Sequence, residues 1–193
     1  MERRSFLTVG AGLVLASAGL GLGACTTTPS TPTDKSAKRR EIDSGVDGAL
    51  NKLYTSVSGS RELANRARGI LVFPNTLSAG FVVGGEYGDG ALRAGATTRG
   101  YYRIVSGSVG WQIGAQSKAI VLMFLTQDAL DKFVASQGWT AGVDATVALA
   151  KIGANGVLDT NTAQQPIVGF VVTNAGLMAG LSLEGSKITR LDI

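Results

Sequence analysis

The chain has no histidine, a single cysteine, four prolines and few aromatic residues among its 193 positions. Without histidine, neither a Ser-His-Asp nor a Cys-His nucleophile system can be assembled, and a principal zinc ligand is missing. Carboxylate, lysine or hydroxyl chemistry is all that remains. One cysteine, Cys25, excludes an internal disulfide, so stability must come from packing. Trp111, Trp139, Tyr101, Tyr102 and Phe170 are too scattered for a ligand-stacking platform and read as fillers of a core or barrel. No cofactor motif is present, and neither a cofactor nor a nucleic-acid partner is expected.

What the chain has instead is glycine, 27 residues of it, within a composition that is 45% hydrophobic. That is a globular composition, long enough for one domain with its own core. The formal net charge is +4, and the excess is local. Residues 34–68 hold eight basic and five acidic side chains, whereas residues 69–193 hold eight of each. A surplus of this kind suits an anionic membrane or polyanion as partner, and equally an ordinary soluble surface.

Residues 1–25 resemble a bacterial lipoprotein export signal. Arg3 and Arg4 give a positive start, an apolar run rich in Ala and Gly follows over residues 6–22, and Leu22-Gly23-Ala24-Cys25 resembles a lipobox. The run is shorter than the roughly 20 residues a membrane span needs, and Gly10, Gly12, Gly19, Gly21 and Gly23 interrupt it. The resemblance implies removal of residues 1–24, acylation of Cys25 and a membrane tether. Arg3-Arg4-Ser5-Phe6-Leu7 is also similar to a twin-arginine export motif. The expected location is the bacterial cell envelope, facing the periplasm. Thr26, which is not an aspartate, points by the usual sorting pattern to the outer membrane.

Residues 25–35, the lipidated Cys25 followed by Thr, Ser and Pro, read as a spacer, and residues 36–193 as the domain. Over residues 36–57, Ile42, Val46, Ala49, Leu50, Leu53, Tyr54 and Val57 fall on one side of a helical wheel. Its polar face mixes Lys38, Arg39, Arg40 and Lys52 with Glu41, Asp43 and Asp47, which predicts docking on a core rather than an interfacial helix. A short helix is expected from Ser60, as N-cap, through Ala67, and another opening at Thr126 that presents Leu130, Phe133 and Val134 to the core.

Strands are expected at 70–73 (stopped by Pro74), 79–83, 91–96, 101–105, 109–115, 119–125, 143–149, 167–172, 177–183 and 187–191. Gly88-Asp89-Gly90 and Gln116-Ser117-Lys118 read as hairpin tips, Asn174-Ala175-Gly176 and Glu184-Gly185-Ser186 as turns. Glycines within the strands mark bulges or close backbone approach. The fold class is therefore α+β: a curved or partly closed antiparallel sheet or barrel, an N-terminal amphipathic helix and two short helices.

Gly84-Gly85-Glu86-Tyr87-Gly88-Asp89-Gly90 lacks both nucleotide-loop endings and reads as a glycine hairpin. Residues 155–161, including Asp159, carry too few acids for a calcium loop. Glu86, Asp89, Asp144, Asp159 and Glu184 are the candidates for a carboxylate pair, with Glu86 and Asp144 the first to test, but no spacing selects two of them.

Four ordered blocks resemble the successive signatures of SYLF domains: Arg68-Gly69-Ile70-Leu71-Val72-Phe73-Pro74; Ala79-Gly80-Phe81-Val82-Val83 continuing through Gly90; Gly110-Trp111-Gln112-Ile113-Gly114-Ala115-Gln116; and Gly176-Leu177-Met178-Ala179-Gly180-Leu181-Ser182-Leu183-Glu184-Gly185. The resemblance spans about residues 40–193 and implies a lipid-binding module without enzymatic activity. Eukaryotic relatives bind phosphoinositides, some fungal members bind actin filaments, and bacterial relatives are commonly exported lipoproteins. Many relatives carry Tyr-Ser-Arg-Ser-Lys before the last block, where this chain has Val171-Val172-Thr173-Asn174-Ala175 with no positive charge. What carries over is binding of anionic lipid in general, or of another envelope component. Lys38, Arg39, Arg40, Arg61, Arg66 and Arg68, chosen from the local charge excess, are the candidate contacts. A protein-interaction lipoprotein and a carboxylate-dependent hydrolase are the alternatives.

Overall fold

The structure, a computed structural model, describes residues 32–80, 83–109, 116–151, 158–159, 161–174, 176–178 and 182–193. The export signal, Cys25, most of the spacer, Trp111 and most of the 155–161 loop lie outside the described residues.

Helix α1 runs Pro32–Ser56 and α2 Ser60–Arg66. The strands are β1 Gly69–Gly80, β2 Val83–Ala94, β3 Thr97–Val109 and β4 Gln116–Phe124. Helix α3, Gln127–Ala135, precedes β5 Trp139–Thr140 and β6 Ala148–Leu149. A 3-10 turn at Thr162–Gln164 leads to β7 Ile167–Thr173, β8 Gly176–Leu177 and β9 Lys187–Leu191. The strands form one sheet ordered β5-β9-β3-β2-β1-β4-β7-β6, with β8 also on β7. Every pair is antiparallel except β6 with β7. The sheet is curled and open, a half-barrel, and residues 141–147 link its edge strands β5 and β6. The expected α+β class is what the chain adopts.

Each face of the sheet carries its own apolar cluster. Ile42, Val46, Ala49 and Leu53 of α1 sit at helical spacing and are buried against Val72, Ala91, Val121, Phe170 and Val172 on one face. On the other, Leu130 and Phe133 of α3 join Leu71, Phe73, Leu92, Ile104, Ile120 and Trp139. Phe133 is the hub there, with ring centroids 5.0 Å from Tyr102, 5.0 Å from Phe124 and 5.7 Å from Trp139. Among the described residues, both clusters draw on positions from Ile42 onward.

Several local expectations are corrected. Helix α1 begins at Pro32, which suits a first helical position because its missing N–H would be unpaired anyway, so the helix takes in the end of the supposed spacer. Ser60 is not an N-cap: Gly59, at φ +82°, holds that place, and the buried Ser60 Oγ donates to the carbonyls of Leu53 and Val57. Thr126 does cap α3, accepting from the Ala129 N–H, but Val134 faces solvent.

Pro74 does not stop β1. The strand passes through it on a bulge, seen as register shifts between Val72 and Asn75 against β2 and between Phe73 and Thr76 against β4. Gly88-Asp89-Gly90 is mid-strand in β2: a Cβ at Gly90 would run into the Val72 carbonyl and lie 2.6 Å from Phe73 Cδ1. The turn after β2 is Gly95-Ala96, with Gly95 at φ +61°. Gln116-Ser117-Lys118 opens β4, the strand expected at 143–149 is reduced to β6, Ala148–Leu149, and of the strand expected at 177–183 Leu177 pairs in β8 while residues 179–181 lie outside the described residues.

Candidate functional site: a groove beside the first helix

Helix α1 crosses the sheet from β9 and β3 to β7 and β8, and its side-chain contacts record the path. Arg39 Nε donates to the Ile193 carbonyl oxygen at 2.7 Å, beside β9. Further along, the Asp43 carboxylate accepts from Tyr101 Oη at 2.8 Å and Thr98 Oγ1 at 3.0 Å, and lies 3.3 Å from Arg93. At the far end Lys52 Nζ donates to Asn174 Oδ1 at 2.8 Å. Burial, then the hydrogen bond to Asp43, holds the Tyr101 hydroxyl above the usual tyrosine range.

Along one flank of α1 runs a groove. Its first part, about 200 Å³, lies between Lys38, Glu41 and Ile42 of the helix and Leu77, Tyr87 and Asp89 of the sheet. Its second, about 250 Å³, lies between Gly48 and Lys52 and the residues Ser117, Val172 and Asn174. Pro74 and Asn75 line both, so the two parts adjoin. Gly48 leaves the second part open, since nothing stands within 4 Å of where its Cβ would be.

Each end of the groove holds a lysine, in unlike surroundings. Lys38 is 3.6 Å from Asp89 and 3.3 Å from Glu41, and Asp89 also binds Arg103 at 2.8 Å. Lys52 meets only an amide oxygen among the described residues. The hydrogen bond to Asp89 raises the pKa of Arg103, whose guanidinium also lies 4.7 Å from the centroid of the Tyr87 ring.

From the mouth of the groove outward, the same face of the sheet is exposed among the described residues. Leu77, Tyr87 and Val105 stand opposite one another on β1, β2 and β3 and are 56%, 45% and 47% exposed. The row continues into Ser117 on β4 and Lys187 on β9, both exposed.

The six predicted contacts do not form one patch. Lys38, Arg39 and Arg40 lie near the start of α1, whereas Arg61, Arg66 and Arg68 lie past its end, about 30 Å away along the helix. Lys38 and Arg39 are engaged as described, and Arg61 stacks 4.5 Å over the Tyr54 ring. Arg40, Arg66 and Arg68 are exposed, with no ion pair among the described residues. Lys52, Asn75 and Asn174 were not singled out by the sequence reading, because only the crossing of α1 over the sheet assembles them.

The candidate carboxylates have separate structural engagements. Glu86 forms a 2.8 Å ion pair with Lys118, their side chains 9% and 10% exposed. Asp89 holds Arg103 and Lys38, Asp144 accepts from the Thr140 N–H at 2.6 Å, and Asp159 accepts from the Thr162 N–H and hydroxyl, both at 3.2 Å. Glu184 is exposed in a turn. Among the described residues no three His, Cys, Asp or Glu side chains gather as a metal site, and no helix is long and apolar enough to cross a membrane.

In comparison with known families, residues 105–192 fit the model described as Ysc84, Las17-binding protein actin regulator. The match takes in the third and fourth of the blocks quoted above and leaves the first two outside it. No curated protein matches the chain.

Proposed function

We propose, from the match of residues 105–192 to the Ysc84 family model, that this chain is an exported, lipid-anchored, non-enzymatic module that binds anionic lipid. Cys25 supplies the anchor, and the exposed arginines around α2 meet the charged head groups. The observation that carries the reading is electrostatic. Arg61, Arg66 and Arg68 project from one short segment and have no ion pair among the described residues, Arg61 lying over the Tyr54 ring with its charge exposed, whereas Lys38, Arg93, Arg103 and Lys118 are spent on carboxylates of the fold itself. Surface cations without a carboxylate partner contribute about 1 kcal/mol each near an anionic bilayer.

The family description, which concerns binding of a protein partner in actin regulation, supports a second reading as a protein-interaction module. Both readings are tested by flotation of the chain beginning at Cys25→Ala, which retains both hydrophobic clusters, on phosphatidylglycerol and phosphatidylcholine vesicles. Preferential, salt-sensitive binding to the anionic vesicles is expected. Equal or absent binding on both would leave the protein-interaction reading. Metabolic labelling with a fatty-acid analogue, lost in Cys25→Ala, tests the anchor.

A further inference from the structure

We infer that the row Leu77–Tyr87–Val105, exposed among the described residues, is a bilayer-contacting surface, set beside α1 against the membrane that holds the anchor. The inference rests on the acylation of Cys25 proposed above, and it concerns a different surface from the arginines of α2.

Four observations carry it. First, the apolar stripe of α1 is already used: Ile42, Val46, Ala49 and Leu53 are at most 7% exposed, so the docked helix has nothing left to insert into lipid. Second, the described residues include five exposed large apolar side chains, and three of them stand in this one row. The other two, Val134 and Val143, lie on α3 and in the turn after β5.

Third, the row is bordered as a membrane interface demands. Tyr87 brings an amphipathic ring with Arg103 stacked on it, and Lys187, opposite Val105, has a stem long enough to lie along lipid while its charge reaches the head groups. Asp89 is neutralised by Arg103 and Lys38, so it presents no free negative charge. Two residues along the strands, Gly85 and Gly107 are exposed and opposite one another, with nothing within 4 Å of where a Cβ would stand. Two glycines without side chains next to the apolar row leave room there for acyl chains to pack.

Fourth, the anchor emerges at the right end. Lys38 touches Asp89 beside the row, and Pro32 lies about 9 Å further along the helix. From Cys25 to Pro32 the chain can reach at most about 25 Å. Both the acyl chains and the row can therefore sit in one bilayer.

The test uses the acylated protein carrying Val105→Cys, isolated from membranes and reconstituted at a low protein-to-lipid ratio into phosphatidylcholine vesicles. Because acylation blocks the sulfur of Cys25, position 105 then carries the only free thiol, which is labelled with an environment-sensitive dye. Val134→Cys serves as the control on the opposite side of the sheet. A blue shift at position 105 and none at 134 is expected, and Leu77→Ser in the Val105→Cys protein should abolish it. Equal emission at the two positions would overturn the docking surface while leaving the binding of anionic vesicles through the arginines untouched. Disulfide-linked dimers of Val105→Cys would overturn it in favour of a second copy. Two dyes per chain would show Cys25 unmodified, which removes the anchor and with it this inference.

Discussion

Gly45 of α1 lies directly over Pro74 of β1, so close that a Cβ on Gly45 would stand 2.9 Å from the proline Cγ. The pair explains two residues that each look wrong alone: a glycine inside a helix and a proline inside a strand. The proline has no N–H to lose and sits at the bulge, while the glycine lets the helix settle onto its ring.

Gly45→Ala and Gly48→Ala should therefore act in opposite directions, although both replace a helical glycine. Gly45→Ala gains helix propensity but collides with Pro74, and a net loss of about 1–2 kcal/mol is expected. Gly48→Ala meets nothing within 4 Å and should stabilise by about 0.5–1 kcal/mol. Urea unfolding of the two variants checks the contrast.

These residues also show what can be read from the chain and what cannot. The stripe Ile42, Val46, Ala49, Leu53 announces α1 because its periodicity is local, and 187–191 alternates clearly enough for β9 to be found with its bounds. Gly88-Asp89-Gly90 was misread as a tip because a glycine needed for close approach to a distant strand looks, locally, like a glycine needed for a turn. Pro74 misled in the same way, since the bulge that admits it is defined by β2 and β4. Of the candidate contacts, the charge excess is visible in the sequence, but the partners that neutralise it are not. Lys38 finds Asp89, and Arg39 finds Ile193 some 154 residues away. The groove likewise exists only where α1 crosses Pro74 and Asn75.

Glu86 and Lys118 form the most buried ion pair described, joining β2 to β4 across β1 at 2.8 Å. The pair sits in a poorly solvated site, so breaking it with Lys118→Met should cost about 3–5 kcal/mol. Adding Glu86→Leu to it should recover part of that loss. Denaturant unfolding of both single variants and the double variant measures the coupling, and additive losses would mean that the two groups do not act as a pair.

Stability should fall in alkali through the tyrosines. Burial raises the hydroxyl pKa of Tyr54, Tyr87, Tyr101 and Tyr102 above the ordinary value of 10.0. For a group whose folded pKa is raised, the unfolded chain binds fewer protons between the two values, so unfolding becomes easier as pH climbs through that window. The contribution is intact below about pH 10 and is lost above it. Tyr101→Phe should cost about 0.5–1.5 kcal/mol at neutral pH by removing the bond to Asp43, and should make the alkaline fall shallower. Chemical unfolding at a series of pH values from neutral to strongly alkaline reads both effects.

Binding to anionic vesicles should depend on which arginines are changed, because the fold has already engaged some of them. With about 1 kcal/mol for each exposed cation, Arg61, Arg66 and Arg68 replaced together by glutamine should weaken binding to phosphatidylglycerol vesicles by roughly 100-fold at low salt. The loss should shrink as salt shortens the screening length towards about 8 Å at 0.15 M. Lys38→Gln and Arg39→Gln make the opposite pattern: they release Asp89 and the Ile193 carbonyl, so thermal stability should drop while vesicle affinity changes little. The two outcomes separate a cation available to a ligand from one that holds the protein together. If the second pair weakened binding more than the first three, the lipid-facing surface would lie at the start of α1 rather than past its end.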